Sequence, residues 1–169
     1  MPAVSPLWAL SPRFETWLAG LDLRRRMVAA ALFGALAATG QAPFGLWLLA
    51  LVGLAGLHSV FLSTDRAREA GWIGWAGGTG YFALALFWIV EPFLVDVARH
   101  GWMAPFALVF MSGGLALFWG AALMLAHRTG KGALGWIAAL ALAELARSYV
   151  LTGFPWALIG HIWIDTALA

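Results

Sequence analysis

Apolar residues fall into five long stretches along this chain, separated by short clusters that hold most of the charge. The first runs from Met27 to about Thr39 and gives way to Gly40-Gln41-Ala42-Pro43-Phe44-Gly45. The second covers Leu46 to Leu62, the third Gly71 to Val90, the fourth Trp102 to Ala126 and the fifth Ala133 to Leu151. About 20 residues at a rise of about 1.5 Å cross a hydrocarbon layer about 30 Å thick, so the last three are comfortable membrane spans. The first two are short, and a tight helical hairpin with its Gly/Pro turn near one interface accounts for them. From Thr152 to Ala169 the chain is still apolar but is broken by Gly153, Pro155 and Gly160, which predicts a loop returning toward the membrane. The expected fold is all-α: a polytopic membrane helix bundle of about five spans with a re-entrant or loop C-terminal segment.

Residues 1–26 are the most polar part. Ser11-Pro12 offers an N-cap and first-turn proline, and Phe14, Trp17, Leu18 and Leu21 recur at helical spacing. That pattern predicts a short helix on the bilayer surface, ended by Arg24, Arg25 and Arg26. The division is thus a cytoplasmic or interfacial segment, 1–26, and a transmembrane domain, 27–169. An arginine flank before Met27 to Ala38 also fits a signal-peptide core, but the apolar pattern resumes within a few residues and never yields to a soluble domain.

Composition agrees. The 169 residues are 63% hydrophobic and 11% charged, whereas a soluble domain is roughly half apolar and a quarter charged. The 11 Trp and 20 Gly suit bilayer interfaces and close helix packing. A pI near 9.7 invites nucleic acid, yet the net charge is only +2 and the basic residues lie in short clusters between apolar runs. They act as topology determinants and anionic-lipid contacts, and no nucleic-acid partner is expected. Arg13, Arg24 to Arg26, Arg66, Arg68, Arg128 and Lys131 fall on one side; Arg99 and Arg147 fall on the other. The side richer in Lys and Arg is cytoplasmic, so the N-terminus is expected inside.

Glu144 and Arg147 stand three apart on one face of the fifth stretch. Each ionised residue at a helix centre costs about 2.5–3.5 kcal/mol to insert, so the pair belongs in the bundle interior. Two interpretations stay open: a structural ion pair that fixes packing, or a polar wall for a lipid headgroup, with Arg147 presenting a fork of donors to phosphate. Leu151-Thr152-Gly153-Phe154-Pro155-Trp156 follows as a helix end with an aromatic anchor. Glu91, Asp96, Arg99 and His100 crowd one outer loop and are expected to form a solvated turn. His58 and His127 are expected to be structural, as is His161. Gly74 and Gly78, with Gly77 and Gly80 beside them, predict close helix contact. No zinc motif, phosphate loop or nucleophile elbow occurs, no metal or cofactor is expected, and the absence of cysteine excludes any thiol nucleophile within these residues.

Three of these stretches together resemble the membrane part of the bacterial apolipoprotein N-acyltransferases. Ala42-Pro43-Phe44-Gly45-Leu46-Trp47 resembles that family's hairpin between its opening helices. Gly71 through Trp88 is similar to its Gly-rich third helix ending in an aromatic run. Most specific are Glu144-Leu-Ala-Arg147 and then Thr152-Gly153-Phe154-Pro155-Trp156, similar to the family's Glu-x-x-Arg followed by Thr-Gly-Phe-Pro-Trp. The chain departs from the pattern at Ser148-Tyr149, where many members have Gly-Trp, and at His161-Ile162-Trp163 in place of Tyr-Ser-Gln.

The resemblance implies transfer of an acyl chain from a phospholipid donor to the N-terminal amine of a diacylated apolipoprotein in the bacterial cell inner membrane. It implies that the chemistry belongs to a C-terminal nitrilase-like domain bearing a Glu, Lys and Cys triad, which these residues lack, so they are expected to be an inactive fragment with no catalytic residue of its own. It implies a substrate-binding or site-shaping role for Glu144, Arg147, Thr152, Gly153, Phe154, Pro155 and Trp156, and a hairpin-forming role for Pro43 and Phe44. The competing expectations are an anchor module for a polyprenol-phosphate glycosyltransferase, or a small transporter using Glu144 and the outer-loop acids.

Overall fold

A computed structural model describes residues 12–130, 132–150, 153–164 and 166. Among these residues the chain is all helical. Helix α1 (Pro12–Ala19) leads into α2 (Leu23–Ala38), α3 (Trp47–Leu62) and α4 (Ala67–Ala85). A 3-10 helix (Phe87–Leu94), the single turn α5 (Val97–His100) and a second 3-10 turn (Gly101–Met103) then precede α6 (Ala104–Arg128) and α7 (Ala133–Tyr149). A last 3-10 helix covers Ile159–Trp163.

The apolar stretches therefore became helices, with three adjustments. First, Arg24 to Arg26 do not end α1. The chain turns at Gly20 to Asp22 and the arginines form the first turn of α2, where Asp22 in extended backbone occupies the N-cap position. Second, α1 is tied to the bundle on one side: Leu18 is fully buried and Phe14 meets Phe33 edge to face, while Trp17 is exposed. The proposed cap Ser11 lies outside the described residues. Third, the third stretch starts earlier, at Ala67, and does not continue straight: α4 and the 3-10 helix after it are bent by 49°. Pro92 explains why α-helix does not resume there, since it lacks an N–H and crowds the preceding turn.

Helix α4 is central and packs along both α2 and α6; α2 also packs on α3, and α6 on α7. Lipid tails are as apolar as side chains, so such helices associate through close van der Waals fit, and small residues permit it. Glycine supplies that fit on two faces of α4. A Cβ on Gly80 would run into the Ala31 carbonyl of α2, and one on Gly74 would lie 2.5 Å from the Trp119 carbonyl of α6. From the α2 side, a Cβ on Gly34 would collide with the Gly77 carbonyl. The expectation of close helix contact holds, with Gly74 and Gly78 facing α6 and Gly77 and Gly80 turned toward α2 and α3.

Among the described residues one helical stretch, Val97–Arg128, is long and apolar enough to cross a membrane, and the bent pair Ala67–Ala85 with Phe87–Leu94 is a second if it counts as one span. Helix α3 is apolar but shorter. Helices α2 and α4 run in the same direction, because Arg26 and Glu69 meet at their starts and Gln41 and Tyr81 meet at their ends.

Candidate functional site

The last turns of α7 carry Glu144 and Arg147 on one face, and helical spacing of three brings their side chains together, Nη2 to Oε2 at 2.9 Å. The chain then reverses. Val150 leaves the helix in extended backbone, and the Phe154 N–H donates back to the Arg147 carbonyl at 3.0 Å. Gly153 takes φ +80 in this turn, a left-handed conformation that favours glycine, and a Cβ there would strike the Ser148 carbonyl. Thr152 lies outside the described residues.

This reversal lays residues 153–163 across the end of the bundle, and Arg147 holds it there. Its Nη1 donates to the carbonyls of Phe154 at 2.9 Å and Trp156 at 2.7 Å; its Nη2 donates to Ala157 at 3.3 Å as well as to Glu144. The guanidinium also sits 4.9 Å over the Phe82 ring of α4, and the residue is only 1% exposed. Glu144 is equally occupied: Oε1 accepts from the Trp119 indole at 3.0 Å and Oε2 from the Ile159 N–H at 3.0 Å. A buried charge pair is tolerable when its remaining donors and acceptors are also satisfied, and these carbonyls and N–H groups do most of that. The Nη donors of Arg147 thus point at this chain's own backbone.

A second tie lies beside the first. Gln41, just past α2, donates through Nε2 to the Tyr81 hydroxyl at 2.7 Å and to the Leu158 carbonyl at 2.9 Å. Tyr81 is 1% exposed and its ring lies against Trp119, 5.0 Å between centroids. Gln41, Tyr81 and Trp119 were not singled out from sequence as site residues. The available signal was that a buried tyrosine or tryptophan seeks a partner for its polar atom, but it does not say which one.

Pro43 and Phe44 lie at the α2–α3 turn, and both are exposed. The turn is closed by the N–H groups of Phe44 and Gly45, which both donate to the Gln41 carbonyl at 3.0 and 3.1 Å. Pro155 and Trp156 are exposed, and Trp156 meets Trp88 at 6.1 Å. Glu91, Asp96, Arg99 and His100 lie exposed in the loop before α6 and do not join this site. His58 is buried against Trp136, rings 5.2 Å apart and nearly perpendicular. No group of three or more His, Asp or Glu suited to a metal occurs among the described residues.

Two concavities adjoin the clamp. A groove of about 650 Å³ lies between α7, Leu54 of α3 and the Ile159–Trp163 turn; Glu144 and Ser148 are its polar side chains besides the indoles of Trp136 and Trp163. A smaller pocket of about 410 Å³ opens at the end of the bundle between the α2–α3 turn, the end of α4 and the C-terminal segment.

Residues 33–169 match the family model described as the apolipoprotein N-acyltransferase N-terminal domain. Relatives named apolipoprotein N-acyltransferase include one from Caulobacter vibrioides, 46% identical over 137 residues, covering 77% of this chain and 26% of the relative. Others come from Brucella suis, 38% identical over 150 residues (81% and 28%), and Vibrio vulnificus, 36% identical over 155 residues (86% and 30%). The chain spans between a quarter and a third of the length of these curated relatives. It belongs to the apolipoprotein N-acyltransferase N-terminal domain family, which disfavours the glycosyltransferase-anchor and transporter alternatives.

Proposed function

We propose, from membership in that family, that this chain is the N-terminal membrane portion of a phospholipid:apolipoprotein N-acyltransferase. In the complete enzyme an acyl chain passes from a phospholipid to the free N-terminal amine of a diacylglyceryl-cysteine lipoprotein. These residues contribute no thiol nucleophile, since they contain no cysteine. A thiolate in a following nitrilase-like domain, with Glu and Lys beside it, attacks the phospholipid ester and displaces the lysophospholipid, which leaves protonated; the lipoprotein amine then attacks the resulting thioester, forming the amide, losing a proton and releasing the thiolate. The 169 residues anchor that domain and shape lateral access for the two lipidated substrates.

In this scheme α2, α3, α4 with its bent extension, α6 and α7 are five spans of a bacterial inner-membrane protein, with the N-terminus cytoplasmic and residues 1–26 at the interface. Helices α2 and α3 have 16 residues each, about 24 Å of rise, and such short spans are accommodated by local thinning of the bilayer. The Gln41 end of the bundle then faces the periplasm, where Glu144, Arg147 and residues 153–156 form the seat of the catalytic domain.

The observation that carries this is the clamp on residues 153–158: an ion pair and three backbone carbonyls fix an irregular segment that follows α7. A catalytic domain that must meet lipid at a set height needs such a fixed exit. The test is Arg147→Ala in the complete protein, with acyl transfer to a diacylated lipopeptide and protein abundance in the membrane as readouts. At least one should fall about tenfold or more; unchanged transfer at unchanged abundance rejects the assignment. The isolated 169 residues should transfer no acyl chain, and turnover from them alone would overturn the mechanism.

A further inference from the structure

Helices α4 and α6 run antiparallel, since Gly71 meets Met124 while Gly78 meets Ala116. Toward the start of α4 their backbones nearly touch: a Cβ on Gly120 would lie 3.1 Å from the Gly71 carbonyl, and one on Gly71 would lie 2.9 Å from the Met124 methyl. That approach leaves a crease of about 380 Å³, lined by Arg68, Trp72 and Trp75 of α4 and by Leu117, Ala121 and Met124 of α6. Arg68, Trp72 and Trp75 recur at i, i+4 and i+7, so they share one face of their helix. The Trp75 indole is fixed by donating to the Gly113 carbonyl at 3.0 Å, and the exposed Trp72 ring stands perpendicular to it at 5.9 Å.

Charge sits at one end of this crease. Arg68 lines it, and Arg128, in the last turn of α6, comes to the same end because the helices are antiparallel. Both are exposed, and neither joins the ion pairs formed among the described residues, Arg25 with Asp22, Arg26 with Glu69 and Arg147 with Glu144. No acid is among the described lining residues; Asp65 is exposed in the turn before α4, and Glu69 is turned to Arg26. The positive start of α4 and the negative end of α6 offset one another, so the arginines decide the sign.

From Met124 to Leu117 the crease follows α6 for about 10 Å of rise. A spanning helix needs about 20 residues, and the hydrocarbon of one leaflet is about 15 Å deep. The crease is therefore too short for a helix and suits a single acyl chain, with an interfacial indole and an unpaired guanidinium at its mouth.

We propose that this crease holds one anionic phospholipid of the leaflet at the Arg68 end, its phosphate at Arg68 and Arg128 and one acyl chain against Trp72, Trp75 and Ala121 toward Leu117. This rests on the membrane reading above for the bilayer and not on acyl transfer, whose proposed seat lies at the other end of α4. Lost transfer with the lipid preference intact counts against that reading alone, and a lost preference with transfer intact counts against this site alone.

The test is native mass spectrometry of the full-length protein, released from micelles carrying equimolar palmitoyl-oleoyl phosphatidylglycerol and palmitoyl-oleoyl phosphatidylcholine. Among ions with one bound lipid, phosphatidylglycerol is expected to lead about tenfold. Arg68→Gln should lower that ratio about fivefold, the contribution of one arginine at a membrane surface. Arg25→Gln, at the same end of the bundle but on α2, should leave it. A ratio near unity in the unsubstituted protein overturns the proposal, as does a ratio that Arg68→Gln leaves unchanged or that Arg25→Gln lowers equally. Ala121→Phe fills the crease and keeps both arginines, and it should reduce phosphatidylglycerol occupancy about fivefold. Unchanged occupancy removes the acyl chain from the crease and overturns the proposal. Arg68 and Ala121 are both exposed, so neither substitution disturbs a packed face. Glycerol phosphate at the lipid's concentration should displace none of it; equal competition makes the site one for free phosphate and overturns the assignment to lipid.

Discussion

Two buried arginines hold opposite ends of this bundle, and they do so on very different terms. Arg147 has a carboxylate at 2.9 Å, three backbone carbonyls and an aromatic face around its guanidinium. Arg26, at the start of α2, is 8% exposed and makes one hydrogen bond, to the Ser63 carbonyl at 2.8 Å, with Glu69 at 3.9 Å. The contrast follows from what each must hold. Arg26 closes the turn between α3 and α4, two helices that already satisfy their own backbones. Arg147 holds a segment with few internal hydrogen bonds, whose carbonyls need donors from elsewhere. Buried cations are thus spent where irregular backbone is least able to satisfy itself.

Substitutions can break or sharpen that contrast. The largest effect is expected for Arg147→Ala, which strands the Glu144 charge and three carbonyls: a loss of about 3–5 kcal/mol, read by denaturant unfolding in micelles. A loss below about 1 kcal/mol would mean that the C-terminal segment is held by something else. Arg26→Ala removes one charged hydrogen bond and should cost about 1.5–3 kcal/mol on the same assay; if it equals Arg147→Ala, the two ends are alike after all. Gln41→Leu leaves the Leu158 carbonyl without this donor, and about 1 kcal/mol is expected, together with faster protease cleavage after residue 156. The smallest change should come from Arg25→Ala, whose pair with Asp22 at 3.5 Å is largely solvent-exposed. It should cost no more than about 0.5 kcal/mol and should fade in high salt.

The same comparison separates what was legible along the chain from what was not. The five apolar runs located the helices, and the spacing of Glu144 and Arg147 located their ion pair, because helical period is a local property. The bend after Ala85 was not anticipated, although Pro92 stood in view, because Leu86 carries no breaking signature of its own. The sequence pattern puts the arginine cluster at the end of α1, where the apolar spacing gives way to charge. The structure puts it in the first turn of α2 instead, where Arg26 finds the end of α3 as a partner. Gln41 reaches Tyr81 across 40 residues and Leu158 across 117, distances over which no periodicity speaks.

Sequence by itself determined that this is a bundle of apolar helices, where the helices lie, and that a carboxylate and a guanidinium share the last turns of α7. Those outcomes depend on hydrophobic transfer and on the period of the α-helix, both encoded within a few turns of chain. Only the tertiary structure decided which faces meet, that glycines open two sides of α4, and that Arg147 grips backbone carbonyls. In an apolar chain every face looks equally suited to burial, and a carbonyl oxygen is the same at every residue, so selection among them falls to the packing of the assembled helices.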